Sequence, residues 1–371
     1  MKILMSTLLF CSLGLVWIQK MEVIITGEHQ HKTVEEKPDF FAMEWQEGIV
    51  LNNEPTPIFI DVETMGNQDV DILVTSGNRP MLYTADICTP VCADGECRLM
   101  YLTLYWNLLG SYVGFDKVEG QALTKHDHVE FLEQDYEKLH QLLLDDNSIL
   151  KRRKIDELVS KPKESDIDAA DAIAGATITE VKESVVDGAL YSCYVAWNIA
   201  HGPIKMELQE YTAALFDNEL KRYMLMSNEQ DYQMYALNSL SESEFMKYKD
   251  RIAQIFGESI PLVRSYIVQN LPKLFWETED LQIPFWESFA EVDINTRSLL
   301  LNHIQEAPAN VLVSLVSNLE LMTKNQLKLY LEAIENIVLT NPDINAQLLR
   351  FAESGNHTYG YIVAEFLEDL E

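Results

Sequence analysis

A cluster of apolar residues recurs down the C-terminal half of this chain at nearly constant spacing. It reads YALNSL, YIVQNL, LLLNHI and YLEAIENI from Tyr235, Tyr266, Leu299 and Tyr330, at intervals of 31, 33 and 31 residues. A period near 32 suits one helical pair per repeat. Such a pair has an apolar face that it cannot bury alone, so the pairs must stack, and stacking gives one continuous core. From Met206 onward glycine and strand-like alternation nearly vanish, and the breaks NPD, EAPAN and ESGN separate amphipathic runs. Residues 206–371 are therefore expected to form an all-α helical repeat domain, an α-solenoid.

The first half reads differently. PIFIDVET from Pro57, DILVTS from Asp71 and RLMYLTLYW from Arg98 alternate with a period of two between turn residues, the pattern of half-buried strands. After them Phe131, Tyr136, Leu139, Leu142 and Leu143 recur at helical spacing, and the polar stretch from Ser160 to Asp168 reads as a linker. Sheet first and helices after make residues 21–205 an α+β domain.

With 371 residues and 47% hydrophobic content, the chain is long enough for two cores. Its net charge of -31 repels phosphate backbones and speaks against nucleic-acid binding. Residues 1–20 read as an export signal or N-terminal anchor: Met1-Lys2, an apolar run from Ile3 to Ile18, then Gln19-Lys20. No clear cleavage site follows, so membrane association through this segment stays open. Phe10 is bulky for the position before a lipidated cysteine, which makes Cys11 a weak lipidation signal. An exported, periplasm-facing protein meets an oxidising compartment, and Cys88, Cys92 and Cys97 in DICTPVCADGECR lack the paired C-x2-C spacing of a zinc site. A disulfide between two of the three is expected.

The segment DAADAIAGATITEVKESVVDGALYSCYVAWNIAHGP, Asp168 to Pro203, places Ala172, Ala174, Gly175 and Ala176 just ahead of an amphipathic run. Gly175 permits an unusual backbone angle and close approach, and a helix after Thr177 would present unpaired amides and a partial positive charge, a place for a phosphate. Val181, Val185, Ala189, Tyr191 and Val195 would fix that helix on the sheet, and Gly202-Pro203 would stop it. Thr177-Ile178-Thr179-Glu180 also satisfies a capping box, in which Thr177 is only a helix cap. Both readings fit the residues.

Asp171-Ala172-Ile173-Ala174-Gly175-Ala176-Thr177 resembles the Asp-x-x-Ser/Thr-Gly-Ala-Thr signature of FMN-binding domains in sodium-pumping NADH:quinone reductases and related exported flavoproteins. CTPVCADGEC, YWNLLGSYVGF, LTKHDHVEF and GALYSCYVAWNIAHG look like stretches of exported proteins of that family, so the resemblance covers roughly Pro57 to Gly202. It implies an FMN-binding-type domain in which a flavin transferase attaches FMN to Thr177 through a phosphoester. Asp171, Gly175 and Ala176 would be recognition positions, and Thr179 matches a second threonine of the family run. Ala174 stands where the family has Ser or Thr. The helical half resembles HEAT-type repeats.

Lys125, His126 and His128 in LTKHDH could supply a cation near a flavin ring or phosphate, or two histidines to a metal, since on a strand the histidines would share a face; surface loop side chains are the favoured reading, because a metal needs further ligands. Cys193 reads as a buried small residue, and Trp197, Tyr191 and Tyr194 read as core more than as a flavin-stacking platform. The expected function is electron transfer by an FMN-bearing protein, with redox partner proteins on either side, rather than substrate turnover. The alternative is a protein-interaction module with a degenerate flavin domain and a helical-repeat binding surface.

Overall fold

The computed structural model describes residues 32–62, 65–91, 98–125, 128–152, 154, 183–355 and 357–370. The first half forms a seven-stranded antiparallel sheet, and a largely helical region follows it. The strands are β1 (Thr33–Val34), β2 (Phe40–Phe41), β3 (Leu51–Val62), β4 (Gly66–Thr75), β5 (Pro80–Pro90), β6 (Leu99–Trp106) and β7 (Tyr112–Lys117), in the order β1-β3-β4-β5-β6-β7-β2. The three segments expected as strands lie in β3, β4 and β6. Strands β5 and β7 complete the meander. PMLYTADICTP and YVGFDK carry the same alternation but are broken by proline, glycine and charge.

Alternation sorts the sheet into two buried faces. Ile60, Val62, Ile72, Val74, Tyr83, Ala85, Leu102, Leu104 and Trp106 face the helices in the main core, whereas Leu51, Leu73, Leu82, Tyr105 and Val113 form a second, smaller cluster. That second cluster is covered by the chain's own N-terminal strap, through Val34, Phe41, Met43, Trp45 and Ile49. β1 pairs with β3 and β2 with β7, so the strap leaves one side of the meander and reaches the other within six residues. Six residues reach at most about 21 Å, whereas the six inter-strand steps from β1 to β2 would span about 29 Å in a flat sheet. The sheet must therefore curve until its two edges come within reach of the strap.

The helices are α1 (Glu133–Leu144), α2 (Leu190–His201), α3 (Ile204–Leu215), α4 (Asn218–Met226), α5 (Gln230–Leu237), α6 (Glu242–Lys247), α7 (Lys249–Glu258) and α8 (Pro261–Asn270). They continue as α9 (Lys273–Glu277), α10 (Glu279–Glu287), α11 (Ile294–Leu301), α12 (Ala309–Ser314), α13 (Lys324–Val338), α14 (Pro342–Glu353) and α15 (Gly360–Asp369). Polar side chains start many of them. Asp217, Asp293, Thr323 and Asn341 each accept a backbone amide of the following turn, a contribution of about 1 kcal/mol per cap.

The sequence period reappears as packing. Helices α5, α8, α11 and α13, one from each interval, pack successively on one another, and their partners α4, α7, α10, α12 and α14 lie alongside. Tyr232, Val263, Thr296 and Leu327 are fully buried at the interval spacing, and so are Ala236, Ile267 and Leu300. Buried glutamines tie neighbours together: Gln326 Nε2 donates to Ile294 O and Ser298 Oγ, both at 2.8 Å, and Gln282 Nε2 donates to Glu306 O at 3.0 Å.

The stack begins on the sheet itself. The division expected at 205/206 falls inside the first turn of α3, and α3 packs on β3. Thr212 of α3 donates to Leu108 O at 2.6 Å, and the Leu108 N–H donates to the Tyr232 hydroxyl of α5 at 2.9 Å. One continuous apolar cluster runs from Phe40 to Val363.

Candidate functional site

An apolar cavity on the helix side of the sheet lies where the end of β3 meets the α2–α3 corner, with a volume of about 590 Å³. The register shift between Pro55 and Phe59 takes residues 56–58 out of the ladder, and regular pairing resumes from Phe59 to Val62 along the cavity. The corner is tight because Gly202 ends α2 and Pro203 caps α3; a methyl group at Gly202 would sit 2.5 Å from Asn198 O. Ile60, Val62, Tyr194, Val195 and Ile199 form the apolar walls, the exposed Asp61, Asn198 and Glu207 stand at the rim, and the buried Thr89 completes the lining. Among the described residues lining it there is no lysine, arginine or histidine. Such walls suit an uncharged, flat, mostly apolar group with a few polar atoms at its edge.

Helix α2 has two apolar stripes. Cys193, Ala196, Trp197 and Ala200 are buried against α1 and the sheet, while Tyr194, Val195 and Ile199 are half-buried along the cavity. Trp197 is core as expected: its ring stacks on His201 at 4.7 Å and its Nε1 donates to Asp145 O at 2.9 Å. Tyr194 packs against the same core from its half-buried position and also lines the cavity. Tyr191 is half-buried too. An apolar stripe beyond what one face needs was the signal in YSCYVAWNIA that a second surface is lined by this helix.

The helix was expected to run unbroken from Thr177 to Gly202. Instead Val185 and Val186 are buried outside regular helix, Gly188 adopts φ +72, and α2 starts only at Leu190. A left-handed residue interrupts the i to i−4 ladder, so the helix does not extend through Gly188 although the apolar periodicity does. The Val186 N–H donates to Cys193 Sγ at 3.4 Å, and burial pushes the Cys193 thiol up to about 12. It is an inert packing residue, as its surroundings in the sequence indicated.

Asp171, Ala174, Gly175, Ala176, Thr177 and Thr179 lie outside the described residues, as do the signal segment 1–20, Cys92, Cys97 and His126. Cys88 sits half-buried on β5 opposite Tyr101 of β6 and is not bonded to Cys193. Lys125 and His128 are not on a strand: they lie in the short hairpin closed by the Thr124–Glu130 bridge, and His128 is exposed with φ +62. Lys125 is already committed, its Nζ 2.9 Å from the Asp135 carboxylate in the first turn of α1. Gly188 packs against its stem; a methyl group there would sit 3.5 Å from Lys125 Cβ. The LTKHDH hairpin thus anchors the chain where it returns from the small-residue motif, and its lysine is neutralised.

Buried polar contacts join α1 to β7 and to α2. The Tyr112 hydroxyl lies 2.9 Å from His140 Nδ1, and His201 Nε2 donates to Leu143 O at 2.7 Å. Burial holds both histidines below their ordinary value of 6.5. As neutral rings, His140 ties α1 to β7 and His201 ties α2 to the end of α1.

No family model matches the chain, and no curated protein or solved structure is similar to it. No helix among the described residues is long and apolar enough to cross a membrane.

Proposed function

We propose that this is an exported FMN-binding protein acting in electron transfer, with the flavin esterified to Thr177 by a flavin transferase. The supporting observation is the cavity of about 590 Å³ lined by Tyr194, Val195 and Ile199, on the helix into which the Asp171–Thr177 motif leads. The residues present fit the group. The walls are apolar and the rim carries hydrogen-bonding atoms, as an isoalloxazine ring needs. The lining residues include no cation to hold a phosphate, which agrees with a phosphate held elsewhere, at the motif.

FMN supplies reversible transfer of one or two electrons when bound. The chain's own part would be to exclude water from one ring face through Ile60, Val62 and Ile199, to hold the ring against Tyr194, and to present Asn198 and Thr89 to its polar edge. Buried walls and a carboxylate rim disfavour added negative charge, so Asp61 and Glu207 would lower the potential of a group held there. Ala174 lacks the hydroxyl of the family motif, and restoring it by Ala174→Ser should raise loading.

The test is the intact mass of full-length protein produced with a flavin transferase and exported, read beside flavin fluorescence of the denatured band. The expected result is one covalent FMN, lost in Thr177→Val, since valine keeps the shape and removes only the attachable oxygen. A colourless protein would overturn the reading. It would favour the second one, an interaction module whose HEAT-like α-solenoid binds a partner protein. Leu262 and Ile294, both exposed in the first turns of the stacked helices α8 and α11, speak for that role.

A further inference from the structure

On the other face of the sheet, the strap closes a second pocket of about 350 Å³ against α4 and the turn into α5. Its walls are unlike those of the first. Phe41, Met43, Trp45, Met81 and Tyr223 line it, and the Phe41 and Trp45 rings meet edge to face with centroids 5.7 Å apart. Two carboxylates, Glu44 and Glu229, also line it, and no lysine or arginine is among the described lining residues. Both are held in place: Asn228 Nδ2 donates to Glu44 Oε2 at 3.1 Å, and the Glu229 carboxylate accepts the Glu44 backbone amide. Burial first, then the charges of Asp231 and Glu44, push the Glu229 carboxyl above its ordinary range against that amide bond. Arg79 lies 4.9 Å from the Tyr223 ring centroid but is not part of the pocket wall.

We propose that this pocket binds a small organic cation with an apolar body, an aryl- or alkyl-ammonium, its body among Trp45, Met43 and Met81 and its charge between the aromatic faces and the Glu44 and Glu229 carboxylates. Aromatic rings attract a cation through their negative faces, and more strongly where water is excluded. Methionine adapts to an irregular apolar body. An anion would meet two carboxylates on a chain of net charge -31. A neutral apolar ligand would desolvate the same carboxylates with nothing in return.

The test is isothermal titration calorimetry on the full chain with three probes of similar size: benzyltrimethylammonium, neutral benzyl alcohol and anionic phenylacetate. The ammonium should bind at least about tenfold more tightly than the alcohol, and phenylacetate should give no heat. The double variant Glu44→Gln, Glu229→Gln should lose at least about tenfold for the ammonium and change the alcohol less than about twofold, because only the charge is removed. Glu44→Gln alone, at an exposed position, gives the same ordering should the double variant not fold by circular dichroism. The proposal is overturned if the ammonium does not bind, if it binds no more tightly than the alcohol, or if the folded variants bind it unchanged.

Discussion

The joint between sheet and helices turns on a single hydroxyl, and Thr212→Val tests it. Thr212 is 1% exposed and Tyr83 is fully buried; their oxygens are 2.7 Å apart, and Thr212 Oγ1 is 2.6 Å from Leu108 O. A threonine hydroxyl has one proton. That proton goes to Leu108 O, so Tyr83 must donate to Thr212. Burial pushes Tyr83 up to about 12, which keeps it a donor at any ordinary pH. Valine has the same shape and leaves both the Tyr83 hydroxyl and Leu108 O without this partner, at about 1–3 kcal/mol for each buried group. The expected loss is about 3 kcal/mol. Tyr83→Phe removes the donor and leaves the Thr212–Leu108 bond, costing about 1 kcal/mol. In the double variant the orphaned Tyr83 hydroxyl is gone, so the loss should be about 2 kcal/mol, well short of additivity. Urea unfolding followed by circular dichroism, with unchanged m, gives all three values. A Thr212→Val variant within about 0.5 kcal/mol of the parent, or an additive double variant, would refute the relay.

Gly110→Ala should destabilise by about 3 kcal/mol, because Gly110 has φ +69 and the new methyl would lie 2.5 Å from Lys205 O in α3; an unchanged urea midpoint would show that the β6–β7 turn does not touch the helix. Burial lowers His140 and His201 below 6.5, so the unfolded chain binds more protons below that pH, and the stability these neutral rings contribute is complete above about 6.5 and lost as pH falls through their folded values. The difference in unfolding midpoint between the parent and His201→Gln should therefore shrink from pH 7 to pH 5; a constant or growing difference refutes it. Residues 217–371, expressed alone, should show helical circular dichroism and a cooperative melt at a lower temperature than the whole chain, since Tyr232 loses its cover. A gradual melt would mean that the helices do not support one another without the sheet.

The helical half was legible because its signal is periodic and local. One helix per interval, with Tyr232, Val263, Thr296 and Leu327 at equivalent positions, follows from a repeat in which every unit meets the same neighbours. In the sheet, β3, β4 and β6 were readable, but β1 and β2 are two residues each and are strands only because β3 and β7 offer them a ladder. No window of sequence carries that information. The same holds for the cavity. Its Tyr194 and Ile199 come from one helix, but Ile60, Val62 and Thr89 come from strands more than a hundred residues away, brought there by the α2–α3 corner. The ion pair of Lys125 with Asp135 was not legible, because the two residues are brought together by a turn and a helix start rather than by a regular spacing.

The strap explains why a sheet of this kind needs so little else on its outer face. A meander of five long strands has two edges, each a row of unpaired amides and carbonyls open to pairing with another chain. β1 and β2 pair with β3 and β7, and the six residues between them can join the two edges only because the sheet curves. Asp39 locks one end: its amide donates to Asp116 Oδ1 at 2.7 Å, and its own carboxylate accepts the Lys117 amide at 3.0 Å. The chain that continues from this lock carries Phe41, Met43 and Trp45 over the small outer core and, through Glu44, onto Asn228 between α4 and α5. The outer pocket is thus closed on one side by the sheet cover and on the other by the first pair of stacked helices. Any ligand gripped there would tie the strap to the helical stack, so its binding should raise the stability of the sheet edges and of the first helical pair together.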